Sequence, residues 1–237
     1  MKVLTTLMQR VIPRHRQPAC PAVVEDSLEV YDVTPFAADI DLKALDVVQW
    51  APVWMTRGER LLLYTLTFTL RPSRYLEIGT FKGGSALVVA AAMDAADSTG
   101  RMICIDPEPR IAPEHWEKIA HRTTLLTGFS PDILPRAYDS AGGLFNFVLI
   151  DGDHTRAGVL RDAVGVLPYV ADRGYLLFHD SLYSEVAAGI ESFAEQHSDV
   201  VDFGTLTREV TYLEDDSGRR IRWGGLRMMQ VRRAKPR

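Results

Sequence analysis

The chain has 237 residues, 46% hydrophobic and 24% charged, which suits one large globular α/β domain with modest additions and excludes a fibrous or disordered chain. Its formal net charge of −4 gives no general attraction to nucleic acid or anionic lipid, and the basic clusters at its ends (Arg10, Arg14, His15, Arg16; Arg232, Arg233, Lys235, Arg237) read as solvated termini. Cys20 and Cys104 make no disulfide framework or metal-ligand spacing, the apolar run 61–70 is too short to span a bilayer, and Arg10 interrupts any signal-peptide core, so a cytoplasmic protein is expected.

Residues 1–54 are broken by Pro13, Pro18, Pro21 and Pro35 and read as an N-terminal cap, with short helices at 2–11 and 41–50. The main domain is expected over 55–237. A helix over 56–70 ends before Pro72, because the residue preceding proline is pushed out of helical geometry. Strand and helix then alternate. Strands are expected at 74–79, 101–106, 123–128, 144–151 and 174–180, and helices at 84–96, 112–121, 131–138, 155–170 and 184–197. Strands this apolar, separated by helices, imply a Rossmann-like, mostly parallel sheet of seven strands with helices on both faces. The last stretch, 200–206 and 225–233 around a turn-rich connection, suits an antiparallel C-terminal hairpin at one sheet edge.

In such sheets ligands bind beyond the carboxyl ends of the strands. The tails there read Glu77-Ile78-Gly79, Asp106, Gly128-Phe129-Ser130, Asp151 and His179-Asp180-Ser181, so four of the five carry a carboxylate. Gly79 allows a sharp turn and close ligand approach, while Gly83 and Gly84 open the next helix. Asp106, ending the next strand, can accept both hydroxyls of a ribose. The glycine spacing G-x-x-x-G-x-S, with Phe81 where a dinucleotide fold has glycine, suits a nucleoside without phosphates and argues against a nicotinamide-dependent reductase. Asp151 and Asp180 end adjacent strands, so their carboxylates can converge. Two uncompensated carboxylates repel, which raises one pKa or calls in a cation, and removing one is expected to relieve the strain. Hard oxygen donors in a polar cleft favour Mg²⁺.

LEIGTFKGGSA (76–86) resembles the first motif of the class I S-adenosylmethionine-dependent O-methyltransferases of the catechol and caffeoyl-coenzyme A type. GFSPDILP (128–135) resembles the same family's adenine-side loop, and WMTRGE (54–59) sits where that family has a methionine closing over the cofactor. The likeness runs from about 54 to 181 and implies that Met55, Gly79, Phe81, Ser85, Asp106, Phe129 and Ser130 bind S-adenosylmethionine, with Glu77 and Asp151 completing the set. In these families aspartates at the positions of Asp151 and Asp180 bind a divalent metal. IDGDH (150–154), Asp162 and the fifth-strand tail are more similar to a branch with macrolide-sugar O-methyltransferases and cephalosporin-hydroxylase-like proteins, although Arg156 and Arg173 replace that branch's tyrosine and glycine. The third ligand implied is His179 by the second branch and Ser181 by the first. His154 falls where the catechol-type enzymes carry a lysine, and an imidazole with an ordinary pKa of about 6.5 suits a general base.

The resemblance therefore implies a metal-dependent O-methyltransferase, with His154 and Asp151 as catalytic residues and Asp151, His179 and Asp180 as metal ligands. The expected acceptor is a small molecule or oligosaccharide, a sugar hydroxyl beside a second oxygen, with a catechol or other phenol as the alternative. A non-catalytic nucleoside-binding module is the distant one. Specificity is expected from the cap and the loops after 181 and between 206 and 225, where Trp50, Trp54, Tyr183 and Trp223 can stack on an acceptor. No nucleic-acid partner is expected, and a homodimer is compatible with the edge hairpin or the cap.

Overall fold

A computed structural model describes residues 42–214 and 218–233. The expected helix at 2–11, the proline-broken cap up to residue 41, Cys20, the basic cluster at 10–16, Lys235 and Arg237 lie outside the described residues.

A 3₁₀ turn (Leu42–Leu45) and a single helical turn, α1 (Val47–Trp50), lead to α2 (Arg57–Leu70). Thr56 and Glu59 close the start of α2 with a reciprocal capping box: the Thr56 hydroxyl accepts the Glu59 N–H, and the Glu59 carboxylate accepts the Thr56 N–H at 2.6 Å. The alternation follows as β1 (Arg74–Ile78), α3 (Gly84–Ala95), β2 (Arg101–Asp106), α4 (Pro113–Ile119), β3 (Thr123–Thr127), α5 (Leu134–Ala141), β4 (Phe145–Ile150), α6 (Arg156–Val166), β5 (Val170–Phe178) and α7 (Ser184–Gln196). The chain ends with β6 (Val200–Thr205), β7 (Thr211–Glu214), β8 (Arg220–Trp223) and β9 (Arg227–Val231).

The seven-stranded sheet has the order β3-β2-β1-β4-β5-β9-β6. β1 to β5 are parallel, and β9 runs antiparallel between β5 and β6. Alternation along the strands sorts the core into two layers. Leu76, Ile78, Val148, Ile150, Leu176 and Phe178 face α5, α6 and α7. Tyr75, Cys104, Phe147, Leu149 and Leu177 face α2, α3 and α4, joined by Val47, Ala51 and Val53 from the segment before α2. Each large apolar side chain so buried stabilises the fold by about 1.5–3 kcal/mol. Cys104 is a buried free thiol, as its apolar run implies.

Differences from the expected elements have local causes. The helix expected over 155–170 stops at Val166 in a 3₁₀ turn, because Pro168 has no N–H to continue it. β5 begins at Val170, earlier than expected, by pairing Val170 with Phe145 across an irregularity in the ladder. Arg173, where the resembled branch has glycine, sits at φ 61°, in the left-handed region that favours glycine. The edge hairpin is β6 and β9, but its connection holds a second two-stranded ribbon, β7–β8, that the sequence did not announce. Arg233 is no loose tail: its guanidinium donates to the carbonyls of Leu167 and Val170 at 2.9 and 2.8 Å. Among the described residues no helix is long and apolar enough to cross a membrane.

Candidate active site

The chain steps outward from β1 through β2 to β3, then returns to place β4 on the other side of β1. The crevice this reversal opens at the strands' carboxyl ends holds a cavity of about 640 Å³. Gly79 (φ 93°) turns the chain at its floor, and a Cβ there would lie 2.0 Å from the Asp151 carbonyl oxygen, so no other residue fits without moving β4.

Of the expected cofactor residues, Gly79, Phe81, Ser85, Asp106, Phe129, Ser130 and Asp151 line this cavity. The Asp106 carboxylate accepts the N–H groups of Phe81 and Glu108, each at 2.7 Å, and so fixes the glycine turn against β2. An ionised carboxylate offers about four acceptor sites, leaving room for two ribose hydroxyls. Trp54 and Phe81 stand 5.9 Å apart at the mouth, and Phe129 is 67% exposed, so ring faces are open to a ligand.

Met55 and Glu77 stand elsewhere. Met55 is buried in the core layer of α2 and α3 and is not part of the cavity lining. Glu77 points into the same layer, fully buried, accepting the Tyr75 hydroxyl at 2.8 Å and the Ser85 hydroxyl at 3.0 Å. Ser85, which lines the cavity, links it to a ligand there. Burial pushes its carboxyl up to about 7, against the pull of those two hydrogen bonds. Because the folded pKa lies above the unfolded value of 4.5, the folded state holds the proton more tightly. That contribution is complete below about pH 4.5 and is lost as pH rises through about 7, a change on the order of 3 kcal/mol. Urea unfolding at pH 5 and pH 8 should therefore show a larger loss for the native chain than for Glu77→Gln, and parallel losses would contradict a buried titrating Glu77.

At the tails of β4 and β5 the ligand atoms of Asp151, His154 and Asp180 all lie within 4.8 Å of one another. His154 Nε2 is 3.0 Å from Asp180 Oδ2 and 3.6 Å from Asp151 Oδ1. The two carboxylates push the imidazole up to about 9 against its burial. Behind this cluster, His179 Nδ1 lies 2.9 Å from Asp151 Oδ1 and its Nε2 lies 3.7 Å from Glu59 Oε2. Burial works against protonation of His179, but Asp151, Glu59 and Asp180 raise its pKa well above the usual value. Burial pushes Asp151 up as well, yet His179 and His154 outweigh it and hold the carboxyl at about 2. The carboxyl of Asp151 is thus not the one raised, since two imidazoles already compensate its charge.

The converging set is therefore Asp151, His154 and Asp180, with His179 turned toward Asp151 and Glu59. Ser181 is buried, with its hydroxyl 3.4 Å from that of Thr205. Asp180 sits at φ 52°, a strained turn held by the Gly224 N–H, which donates to Asp180 Oδ1 at 2.7 Å. The β7–β8 ribbon brings Trp223 to the site, where it stacks on Tyr183 at 4.3 Å and meets the His154 ring edge-on at 5.6 Å.

Glu59 was not anticipated as part of this site. The T-x-x-E capping pattern at 56–59 was its available signal, and its other oxygen accepts the Gly225 N–H. Among the described residues, four buried side-chain polar atoms have no hydrogen-bond partner: Thr80 Oγ1, Ser130 Oγ, Asp162 Oδ1 and His179 Nε2. All four residues line this one cavity. Ser130 stands beside Asp162 and His179 Nε2 beside Glu59, so a ligand entering the cavity would meet polar groups held only loosely within the chain.

Residues 76–181 match a family described as a methyltransferase domain. No curated protein matches the chain. Solved structures similar to it include the O-methyltransferase TomG of Streptomyces achromogenes, involved in tomaymycin synthesis and bound to S-adenosylmethionine (21% identity, 80% of this chain and 88% of that one, TM-score 0.55). Others are an O-methyltransferase from Bacillus cereus in complex with S-adenosylhomocysteine (18%, 83% and 94%, 0.58) and cofactor-bound Rv0187 from MTB (19%, 85% and 94%, 0.57). These likenesses place the chain in the Rossmann-like fold expected above.

Proposed function

We propose that this chain transfers the methyl group of S-adenosylmethionine to a hydroxyl flanked by a second oxygen, on a sugar or glycoside, with a divalent cation between Asp151 and Asp180. The observation that carries this reading is that one cavity joins Asp106, suited to a ribose, to the Asp151, His154 and Asp180 cluster. Its orphaned polar atoms and the absence of a Cβ at Gly79 fit a nucleoside, and two carboxylates with an imidazole fit a hard or borderline cation. Such a cation, Mg²⁺ before Mn²⁺, would lower the hydroxyl pKa and hold the neighbouring oxygen in a fixed pose.

The chain's own residues supply the rest. Asp106 accepts the ribose hydroxyls, and Trp54, Phe81 and Phe129 offer faces to the nucleoside. His154 Nε2 takes the acceptor proton, with its ring held by Asp180 and Trp223. The freed oxygen attacks the methyl carbon as the carbon–sulfur bond breaks, releasing neutral S-adenosylhomocysteine. The stacked Tyr183 and Trp223 rings give an acceptor a flat apolar face beside the base. A second reading, favoured by the convergence of three ligand atoms, makes His154 the third ligand.

The test is an acceptor screen with methyl-labelled S-adenosylmethionine, comparing partially methylated sugars with catechols. Divalent-dependent label in the sugar products is expected. Label confined to catechols would move the reading to the phenolic class, and no transfer to either would overturn it.

A further inference from the structure

A second cavity, of about 410 Å³, opens between the start of α7 and β8 and shares no lining residue with the first. Residues 182–185 form one wall and residues 219–222 the other. The lining sets three arginines, Arg219, Arg220 and Arg222, against a single carboxylate, Glu185, which turns to the Arg156 N–H at 3.4 Å. Arg219 already has a partner within the chain. Arg220 and Arg222 are held by contacts that leave their charge unspent. The Arg220 guanidinium lies over the Tyr212 ring at 4.4 Å, a contact through the face of the cation that leaves its N–H edges open. Arg222 Nε donates to the Leu182 carbonyl at 3.1 Å, so the outer nitrogens of its fork are fixed in direction and keep their donors. Pairing of Tyr212 with Arg222 across the ribbon puts Tyr212, Arg220 and Arg222 on one face. Among the described residues neither of these two guanidinium groups forms an ion pair.

We propose that this second cavity holds an anionic substituent of the acceptor, a phosphoryl or carboxylate group gripped by Arg220 and Arg222, so that the acceptor is an acidic glycoside and not a neutral one. This rests on the sugar-acceptor reading above. A neutral hydroxyl offers a guanidinium fork a single weak acceptor, whereas an oxyanion matches the fork edge to edge with charge-assisted hydrogen bonds. The cavity also stands in the right place. Tyr183 lines it and stacks on Trp223 at 4.3 Å, and Trp223 meets the His154 ring at 5.6 Å. The arginines are thus two ring contacts from the base. A sugar lying on the Tyr183 and Trp223 face, with its reacting hydroxyl at His154, extends a charged substituent past the edge of Tyr183 to the Arg222 fork. The ribbon that brings Trp223 to the acceptor therefore also carries the charge that selects it.

The test is calorimetric titration of glucuronate, glucose 1-phosphate and neutral methyl glucoside into the full chain saturated with S-adenosylhomocysteine, as native protein, Arg220→Gln and Arg222→Gln. The native chain should bind the better of the two charged sugars about tenfold tighter than the neutral one at low ionic strength, and the margin should shrink as salt is added. Which charged sugar binds better tells a phosphoryl site from a carboxylate site. Each variant should bring the ratio toward one and keep its affinity for S-adenosylhomocysteine. Equal native affinities for charged and neutral sugars would overturn the anion site while leaving the sugar reading intact. So would a preference unchanged in both variants, the result expected if a cation between Asp151 and Asp180 held the anion instead. Binding of none of the three sugars beside bound S-adenosylhomocysteine would overturn the sugar reading and the anion site with it.

Discussion

Asp180→Asn is expected to cut methyl transfer by at least about a hundredfold, with the fold intact, and Asp151→Asn should match it. The asparagine oxygen can still accept the Gly224 N–H, so the strained turn at residue 180 keeps its anchor while the negative charge is lost. Excess chelator should likewise stop turnover of the native chain, and Mg²⁺ or Mn²⁺ should restore it. Steady-state rates across these conditions check the prediction, and full activity in chelator would rule out the cation. The relief of repulsion expected from the bare sequence should not appear. His154 and His179 already lie against these carboxylates, so Asp180→Asn removes a partner of His154 and the metal-free variant should gain no stability.

His154→Ala should lower kcat by roughly 10²–10⁴ while the affinity for S-adenosylhomocysteine stays near its native value. The pH profile gives a second handle. Only neutral imidazole accepts a proton, and Asp151 and Asp180 hold the folded pKa at about 9. In the metal-free chain, where no turnover is expected, an NMR titration should therefore find the His154 imidazole protonated up to about pH 9, well above the usual histidine range. Bound cation neutralises the same carboxylates, so the native rate measured with cation should climb with pH along a limb below that value. The variant should lack the limb altogether. If His154 is instead a ligand, the variant should also lose cation affinity, and retention of both the native rate and the native profile would end either role.

Much of the fold was legible because buried parallel strands are short apolar runs between helices, and the tails of β1 to β5 fall where those runs end. The tails also pointed to the cavity and its carboxylates, since a carboxylate ending a buried strand must reach a ligand or a partner. Which side chains meet there was harder to read. Asp180 lies at φ 52°, so the two-residue alternation of β5 stops there, and nothing in the local pattern told that His179 would face Glu59 while His154 reached Asp180. Glu77 obeys the alternation, which is why it points into the layer beneath the site and not at the ligand. The β7–β8 ribbon was invisible because its strands have four residues each and β7 is exposed throughout, so burial imposes no pattern. Trp223 reaches the site through that ribbon alone. Asp162 and Glu59 look like helix carboxylates in sequence and become site residues only when α6 and α2 dock on the sheet.

The measurement closest to the central claim is a calorimetric titration of S-adenosylhomocysteine into the native chain and into Asp106→Ala, with NADH as the comparison ligand. Asp106 ties the glycine turn to β2 through the Phe81 and Glu108 N–H groups and has acceptor sites left for a ribose. The native chain should bind S-adenosylhomocysteine and leave NADH unbound, and the variant should lose about ten- to a hundredfold in affinity, the worth of a charge-assisted hydrogen bond. NADH binding in place of S-adenosylhomocysteine, or an Asp106→Ala variant with native affinity, would contradict it.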